Sequence, residues 1–363
     1  MTSPDKTSAG ADLRPVAAAD LQDFAAALFA KAGVPSADAQ TVASCLVEAD
    51  LRGVVSHGVG RVPIYLHRIA IGMVDPKAPI SVEEIAPAVA RIDGANGLGF
   101  LVARRGMAEA IARAERFGIG LALAHRSTHF GMAASYLRQA IEAGYAAFVF
   151  TNASPAMPIW GGKVPFLGTS PFAFGAPGGA DAPPLILDMA TSVVARGKIR
   201  RAAAGGGTIP SGWALDRDGN PTTDAKAAYD GIILPLGGPK GSGLSLMMEV
   251  LAGVMSGSAF GGEVGNQYSD EDRPQDVGHM FVALKPDLAM DRAAYCQRMT
   301  ALAERAKASL PVEEGGEILF PGEPEARLEA QRLRDGVPLA KEDRAGLVEA
   351  AAKLGVDIPA WLA

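Results

Sequence analysis

The residues best suited to chemistry fall in one short stretch, Ser56-His57-Gly58-Val59-Gly60-Arg61. It brings a hydroxyl, a permanent cation and an imidazole that exchanges protons near neutral pH close together in sequence. Arginine grips a carboxylate through two parallel hydrogen bonds, and glycine lets a backbone turn sharply or approach a ligand. Such a set suits a site that anchors a small acid and exchanges a proton with the neighbouring atom. A glycine-capped helix end with a solvated arginine accounts for the same residues, so the rest of the chain has to decide.

Further candidates are spread along the chain. His129, in Ser127-Thr128-His129-Phe130-Gly131-Met132, is expected between a buried strand and the start of a helix, where backbone amides attract phosphate. Thr128 as a helix cap explains the same turn. Asn152 follows a strand, and Gly168-Thr169-Ser170-Pro171 follows a Gly161-Gly162 turn; turn chemistry accounts for each alone. Asp188 ends an apolar strand ahead of Met189-Ala190-Thr191-Ser192. A carboxylate there either orients a histidine such as His57 and raises its pKa, or caps the segment 189–199. Lys240 lies in the glycine-dense Leu236–Leu244 loop, where exposed amides and an ammonium suit phosphate. Pro321-Gly322-Glu323 taken alone is a turn.

The elements that must position these residues are legible in the apolar periodicity. Helical spacing predicts helices over 16–32, from Ser36 through Ala49, from Ile64 to Gly72, and over 100–117, 131–143, 243–255, 291–309 and 341–356. Strands are expected between Pro79 and Asp93, over 118–124, 146–151 and at Leu185–Asp188, with a strong turn at Asp93-Gly94-Ala95-Asn96-Gly97. Regular βαβ alternation is missing, as are GxGxxG and GxxxxGK[ST]. Any dinucleotide therefore binds without the usual phosphate loops.

With 363 residues the chain is expected to form more than one domain. Apolar residues at 48% and charged residues at 20% fit a folded, soluble protein, and a net charge of −6 argues against a nucleic-acid or anionic-membrane surface. Cys45 and Cys296 are the two cysteines, far apart, which excludes a disulfide framework or a thiolate zinc site and fits a cytoplasmic, reducing compartment. No signal pattern opens the chain and no apolar run is long enough to span a bilayer.

Taken together, the pieces resemble the type-2 malate/L-lactate dehydrogenases, a family that also holds ureidoglycolate and sulfolactate dehydrogenases, diketogulonate reductase and piperideine-2-carboxylate reductase. The resemblance runs from about residue 15 to 356. It rests on Ser56-His57-Gly58 with Arg61 and Tyr65, His129-Phe130-Gly131, Gly161-Gly162 with Gly168–Pro171, Leu187–Ser192, and Ala195-Arg196-Gly197-Lys198. It continues through Gly212–Asp216, Pro221–Asp224, Leu236–Gly241, Gly278-His279 and Pro321-Gly322-Glu323. Single members of this set arise by chance; the ordered set is specific.

The resemblance implies hydride exchange between NAD or NADP, with NAD favoured, and a small 2-hydroxy or 2-oxo acid; a cyclic 2-imino acid is the alternative substrate. It implies an α+β, non-Rossmann fold with a large, mostly antiparallel sheet in the cofactor domain, and an interlocked homodimer. The corresponding division is a flexible tail (1–12), a helical N-terminal region (13–56), a substrate and dimer domain (57–125, resumed at 285–340), a cofactor domain (126–284) and a C-terminal helix (341–363). By the family pattern His57 is the acid/base, Ser56 and Asp188 support it, and Arg61 with Tyr65 holds the substrate. Cofactor contacts fall on Thr128, His129, Phe130, Gly131, Met132, Asn152, Thr169, Gly178, Gly179, Ala180, Met189, Lys240, Pro321, Gly322 and Glu323. No metal, nucleic acid or membrane is implied. For a 2′-phosphate, Arg126 is the basic residue to consider.

The chain departs from the pattern at Ser170, where asparagine is usual, and at the glycine-rich Ala203–Gly207, which shortens the usual helix. A serine is expected to keep the side-chain-to-backbone bond of such a turn. Two other classes compete. A Ser56–His57–Asp188 hydrolase is disfavoured because adjacent residues seldom aim at one another and Gly53–Gly58 misses the GxSxG elbow by one position. A non-catalytic binding protein is disfavoured by the simultaneous presence of His57, Arg61 and Asp188.

Overall fold

The computed structural model describes residues 13–180 and 182–362; the tail expected at 1–12 lies outside them. The chain begins with β1 (Arg14–Val16), α1 (Ala18–Lys31), α2 (Ser36–Leu51) and α3 (Val62–Ala70). Next come β2 (Ser81–Ala86), β3 (Val89–Asp93), α4 (Gly99–Phe117), β4 (Ile119–Ser127), α5 (Ala134–Glu142), β5 (Ala146–Thr151), β6 (Phe172–Ala176) and β7 (Leu185–Met189). A section of short pieces follows: α6 (Arg196–Ala204), β8 (Ala214–Leu215), β9 (Pro221–Thr222), α7 (Ala225–Asp230) and β10 (Ile232–Ile233). The chain closes with α8 (Pro239–Met248), β11 (Val277–Leu284), α9 (Arg292–Lys307), α10 (Glu323–Asp335), β12 (Val337–Leu339) and α11 (Lys341–Leu354). No helix among the described residues is long and apolar enough to cross a membrane.

These elements form two compact units. The first runs from the first described residues to Gly72 and resumes at Pro324; the second is Met73–Glu323. In the first, Leu21, Phe24, Leu28 and Phe29 put a buried stripe on α1 at helical spacing, and Gly33, at φ 98°, ends the turn that follows it. α2 buries Val42, Leu46 and Ala49 in the same way. β1 pairs antiparallel with β12, so the two ends of this unit are laced together.

The second unit is built on a seven-stranded sheet in the order β2-β3-β4-β11-β5-β6-β7. Every neighbouring pair is antiparallel except β3–β4, which α4 connects as a βαβ crossover. Alternate residues sort to opposite faces. On one face Gly106 lets α4 sit directly on Phe281, and Gly120 brings β4 against the α4 backbone. On the other, Leu123, Phe150 and Met280 bury themselves with Met248 of α8 and Leu251 of the π-helical segment Glu249–Val254. The helix expected over 243–255 thus starts earlier, at Pro239, and changes to π geometry in its second half. A three-stranded sheet, β10-β8-β9, packs with α6 and α7 around Met157, Leu167, Ile199 and Ile233.

The centre of the large sheet is cross-braced by a histidine. His279, on β11, is fully buried; its Nδ1 lies 2.8 Å from Thr151 Oγ1 on β5 and its Nε2 2.8 Å from Ser127 Oγ on β4. A neutral imidazole meets one hydroxyl as donor and the other as acceptor. Its ring stacks on Phe130, centroids 4.8 Å apart. Burial pushes the imidazole pKa from 6.5 down to about 3. Because the folded pKa is the lower one, this histidine's contribution to stability is complete above pH 6.5 and is lost as pH falls towards 3. His279→Gln, which keeps a donor and an acceptor but does not titrate, is expected to flatten the acid limb of the stability profile across that window. Chemical denaturation at a series of pH values checks this; an acid limb as steep as the parent's would remove His279 from it.

Candidate active site

In the first unit, α2 runs out into two consecutive 3₁₀ turns, Val55–His57 and Val59–Arg61, hinged at Gly58. His57 N donates to Val54 O (2.8 Å) and Arg61 N to Gly58 O (3.0 Å), which fixes the backbone of both functional residues. Ser56 Oγ lies 2.9 Å from His57 Nδ1. Arg61 Nε donates to Ser56 O, and the Nη1 of the same guanidinium is buried without a hydrogen-bond partner. Tyr65, one turn further along on α3, is buried. The His57 ring is half-buried. Lost hydration, and after it the neighbouring Arg61 cation, push its pKa down to about 3, so the imidazole is neutral at physiological pH.

The glycines of this loop serve close approach. Gly58 has φ −86° and ψ −161°, extended backbone open to any residue. A Cβ there would stand 1.8 Å from Asp50 Oδ1, and one at Gly60 would stand 2.3 Å from Asp343 Oδ1. The sequence signal for Asp50 was a carboxylate set between Ala49 and Leu51 near the end of an apolar helix; Asp343 carries no such signal.

In the second unit the strand registers bring most remaining candidates to one end of the sheet. β11 pairs His279 with Thr151 and Val277 with Ser127, and the β6–β7 register sets Phe172 against Met189 and Ala173 against Asp188. Thr128, His129, Phe130, Gly131 and Met132 leave from the end of β4, Asn152 from the end of β5, and Thr169 leads into β6. Asp188 Oδ2 accepts from Ala134 N at 2.8 Å. The carboxylate therefore meets the start of α5, the helix that precedes β5, to which the strand pairing brings it. Thr128 Oγ1 likewise receives Gly99 N (2.9 Å) and donates to Gly97 O (3.0 Å), so it closes the start of α4; α5 begins only at Ala134. His129 Nδ1 accepts from Gly131 N at 3.2 Å, where Gly131 has φ 79°. Asn152 is buried; its Nδ2 donates to Ala259 O (2.7 Å) and its Oδ1 accepts from Gly278 N (3.0 Å).

The Ser170 hydroxyl is fully buried and has no partner, and neither has that of Thr191. The expected side-chain-to-backbone bond of Ser170 is thus absent. The segment is held instead by Ser245 Oγ donating to Gly168 O (2.9 Å) and Thr191 N to Thr169 O (3.4 Å). The other candidates bracket the opposite end of β7. Ile186 N donates to Pro321 O (3.0 Å), Gly322 at φ 91° packs on Ile186, and Glu323 binds Lys307 Nζ (2.6 Å). Gly178 and Gly179 fold tightly against Ala182, Pro183 and α9, and Ala180 helps to line a cavity of about 470 Å³ with Cys296, Gln297, Thr300 and Glu304. That volume is in the range of small-molecule sites. Lys240 is exposed in the first turn of α8, behind Gly237 and Gly238, both at positive φ. Arg126, also at positive φ, gives its Nε to Asp93 Oδ1 (2.8 Å) and its Nη2 to Asp93 Oδ2. Two hydroxyls buried without partners beside Thr169, those of Ser170 and Thr191, fit the binding of a polar cofactor by this unit.

The sequence model of the malate/L-lactate dehydrogenase family matches residues 16–348. The L-sulfolactate dehydrogenase of Methanocaldococcus jannaschii is 39% identical over 336 residues, 92% of this chain and 95% of the relative. The NADP-dependent (2R)-3-sulfolactate dehydrogenase of Chromohalobacter salexigens is 38% identical over 290 residues, covering 80% of this chain and 86% of the relative. Among solved structures, malate dehydrogenase from Pyrococcus horikoshii superimposes with a TM-score of 0.88 at 34% identity, over 98% of this chain and 99% of that one.

Proposed function

The chain belongs to the malate/L-lactate dehydrogenase family, and from that premise we propose that it moves a hydride between a nicotinamide cofactor and a small 2-hydroxy acid, with His57 as acid/base and Arg61 as carboxylate anchor. It is an NAD(P)-dependent oxidoreductase acting on hydroxy acids. The relatives named above act on sulfolactate and malate, 2-hydroxy acids with a second acidic group on the next carbon; that class is the proposed substrate.

One observation carries the assignment of roles: a buried guanidinium nitrogen without a partner, four residues along the same loop from a neutral imidazole. A buried unpaired donor on a cation is costly, and a carboxylate meeting Arg61 in a fork relieves it. With Nδ1–H donating to Ser56 Oγ, the ring keeps a basic Nε2, which takes the hydroxyl proton in the oxidation direction and returns it to the carbonyl oxygen in reduction. The nicotinamide, when bound, supplies the hydride acceptor or donor. The residues proposed to hold it are those gathered at the two ends of β7, with Asp188 supporting the acid/base chemistry. Arg126 already has its fork on Asp93, which supports NAD over NADP.

Initial rates of NADH or NADPH formation with malate, sulfolactate, lactate and ureidoglycolate test the activity directly. His57→Ala is expected to lower kcat by about 10²–10⁴-fold, the usual worth of a positioned general acid/base, with cofactor binding unchanged. Arg61→Lys is expected to raise KM for the acid by about tenfold or more while kcat falls less, because a point charge replaces a fork. An unchanged KM would sink the carboxylate anchor.

The depressed pKa of His57 has a second consequence. A substrate carboxylate on Arg61 cancels the cation that helps to keep the imidazole neutral, so the pKa of His57 rises on binding. The ionisation of His57 itself is therefore expected at higher pH in kcat than in kcat/KM, and coincident values for that group would contradict the electrostatic coupling.

We also read the chain as a homodimer or dimer-based oligomer. Support comes from an exposed apolar stripe, Leu246, Met247, Val250, Val254 and Met255, at helical spacing along α8 and the π segment. Light scattering coupled to gel filtration is expected to give at least twice the chain mass, and Val250→Asp to reduce it; a clean monomer for the parent protein would overturn this reading.

A further inference from the structure

The loop that carries His57 and Arg61 rests on two carboxylates that neither the motif nor the relatives' names assign. We propose that Asp50 is a positioning residue for the reaction: its carboxylate fills the space over Gly58, binds the Val59 amide, and so sets the hinge between the His57 and Arg61 turns. This inference rests on the roles given to His57 and Arg61 above.

Four observations carry it. Asp50 is almost wholly buried at the end of α2. Its Oδ2 accepts from Val59 N at 2.8 Å, the first residue of the turn that ends in Arg61. All three carboxylate atoms lie within 2.4 Å of where a Gly58 Cβ would be, so the hinge peptide is pressed onto the carboxylate and has no room to shift towards it. Asp343 takes the corresponding position against Gly60 from α11. The two glycines of the Ser56–Arg61 motif are thereby explained by the acids they lie on. A side chain at either position would displace a carboxylate, and the backbone carrying Arg61 would move with it.

The setting of Asp50 makes its charge state informative. The charged groups that face it are Asp343 from α11 and Arg332 from α10, whose Nη1 donates to the Asp50 carbonyl oxygen. Burial raises the Asp50 pKa most, the Val59 amide opposes that, Asp343 adds to it and Arg332 opposes it, leaving the group at about 7. Above that pH the amide bond is charge-assisted; below it the acceptor is neutral and the bond is weaker. The grip of the hinge on Val59, and with it the placement of Arg61, is thus expected to loosen as pH falls through neutrality. His57, neutral down to about pH 3, contributes no step there in the free enzyme.

The test uses the full-length protein with its nicotinamide cofactor and oxalate as a probe of the carboxylate anchor. Asp50→Ala empties the space and strands the Val59 amide. It is expected to weaken oxalate binding, measured by titration calorimetry, and to lower kcat/KM by about tenfold or more, with cofactor affinity unchanged; a hydrogen bond to a charged acceptor has that worth. Asp50→Asn keeps size and an acceptor oxygen but not the titration. It is expected to restore oxalate binding to within about threefold of the parent and to remove the step near pH 7 from kcat/KM. Should the alanine variant fail to fold, the asparagine variant's pH profile decides. An alanine variant that binds oxalate and turns over like the parent, or an asparagine variant that keeps the step, overturns the role of Asp50 alone. A parent protein that binds no oxalate and oxidises no hydroxy acid overturns instead the roles given to His57 and Arg61.

Discussion

A half-buried arginine with one buried nitrogen unanswered is the constraint around which the Ser56–Arg61 loop is arranged. Removing a guanidinium from water costs several kcal/mol unless its donors are met, and Arg61 meets Ser56 O through Nε while Nη1 has nothing. Such a residue stays in place only if the surrounding backbone leaves it no alternative. Two 3₁₀ turns, a hinge pinned by a carboxylate and a helix starting at Val62 supply that rigidity. The same cation adds to the effect of lost hydration in keeping its neighbour neutral. Protonating His57 would set two positive charges side by side in a partly dehydrated loop, so the ring stays neutral until an anion arrives.

The second unit solves a different problem, the collection of residues far apart in sequence. β11 begins well over a hundred residues after β5 ends, yet it inserts between β4 and β5. Its antiparallel insertion leaves those two strands running in the same direction, so the segments after Ser127 and after Thr151 emerge side by side. The hairpin pairing of β6 and β7 then brings Thr169 and Met189 to the same end. No glycine-rich phosphate loop is needed for this, because register rather than one local turn does the gathering.

Much of this was legible in the sequence. Helices with a buried stripe, such as α1 and α4, announced themselves through their spacing, and β5 through an unbroken apolar run. The SHGVGR motif pointed to His57 and Arg61 because the residue types carry the chemistry themselves. The rest was hidden for physical reasons. α10 buries no side chain among its described residues, so it has no apolar period to detect. β11 is a central strand, buried on both faces, whose composition does not tell which strands it separates. Thr128 looked like the cap of the helix nearest in sequence and instead closes the start of α4, brought near by the sheet. Asp50 and Asp343 come from different helices, and no spacing rule joins either to Gly58 or Gly60.

The polar side chains at the end of the large sheet show how the scaffold divides its work. Thr128 is committed to the start of α4, Asn152 to the Ala259 carbonyl and the Gly278 amide, and Asp188 to the start of α5. Bonded in this way, the buried Thr128 and Asn152 and the exposed Asp188 order strand ends and helix starts, which is what the walls of a hydride-transfer site require. The buried Glu249, whose carboxylate accepts from Gly261 N at 3.0 Å, extends the bracing to the segment behind Asn152. Buried polar atoms without a partner occur in both units, Arg52 Nε, Arg113 Nε and Ser135 Oγ among them; those beside the candidate segments are Arg61 Nη1, Ser170 Oγ and Thr191 Oγ1. Of these, a cationic donor has the most to gain from an incoming anion, because an unmet hydrogen bond costs more on a charged group than on a hydroxyl, and that singles out Arg61 by its place in the Ser56–Arg61 loop rather than by its lack of a partner alone.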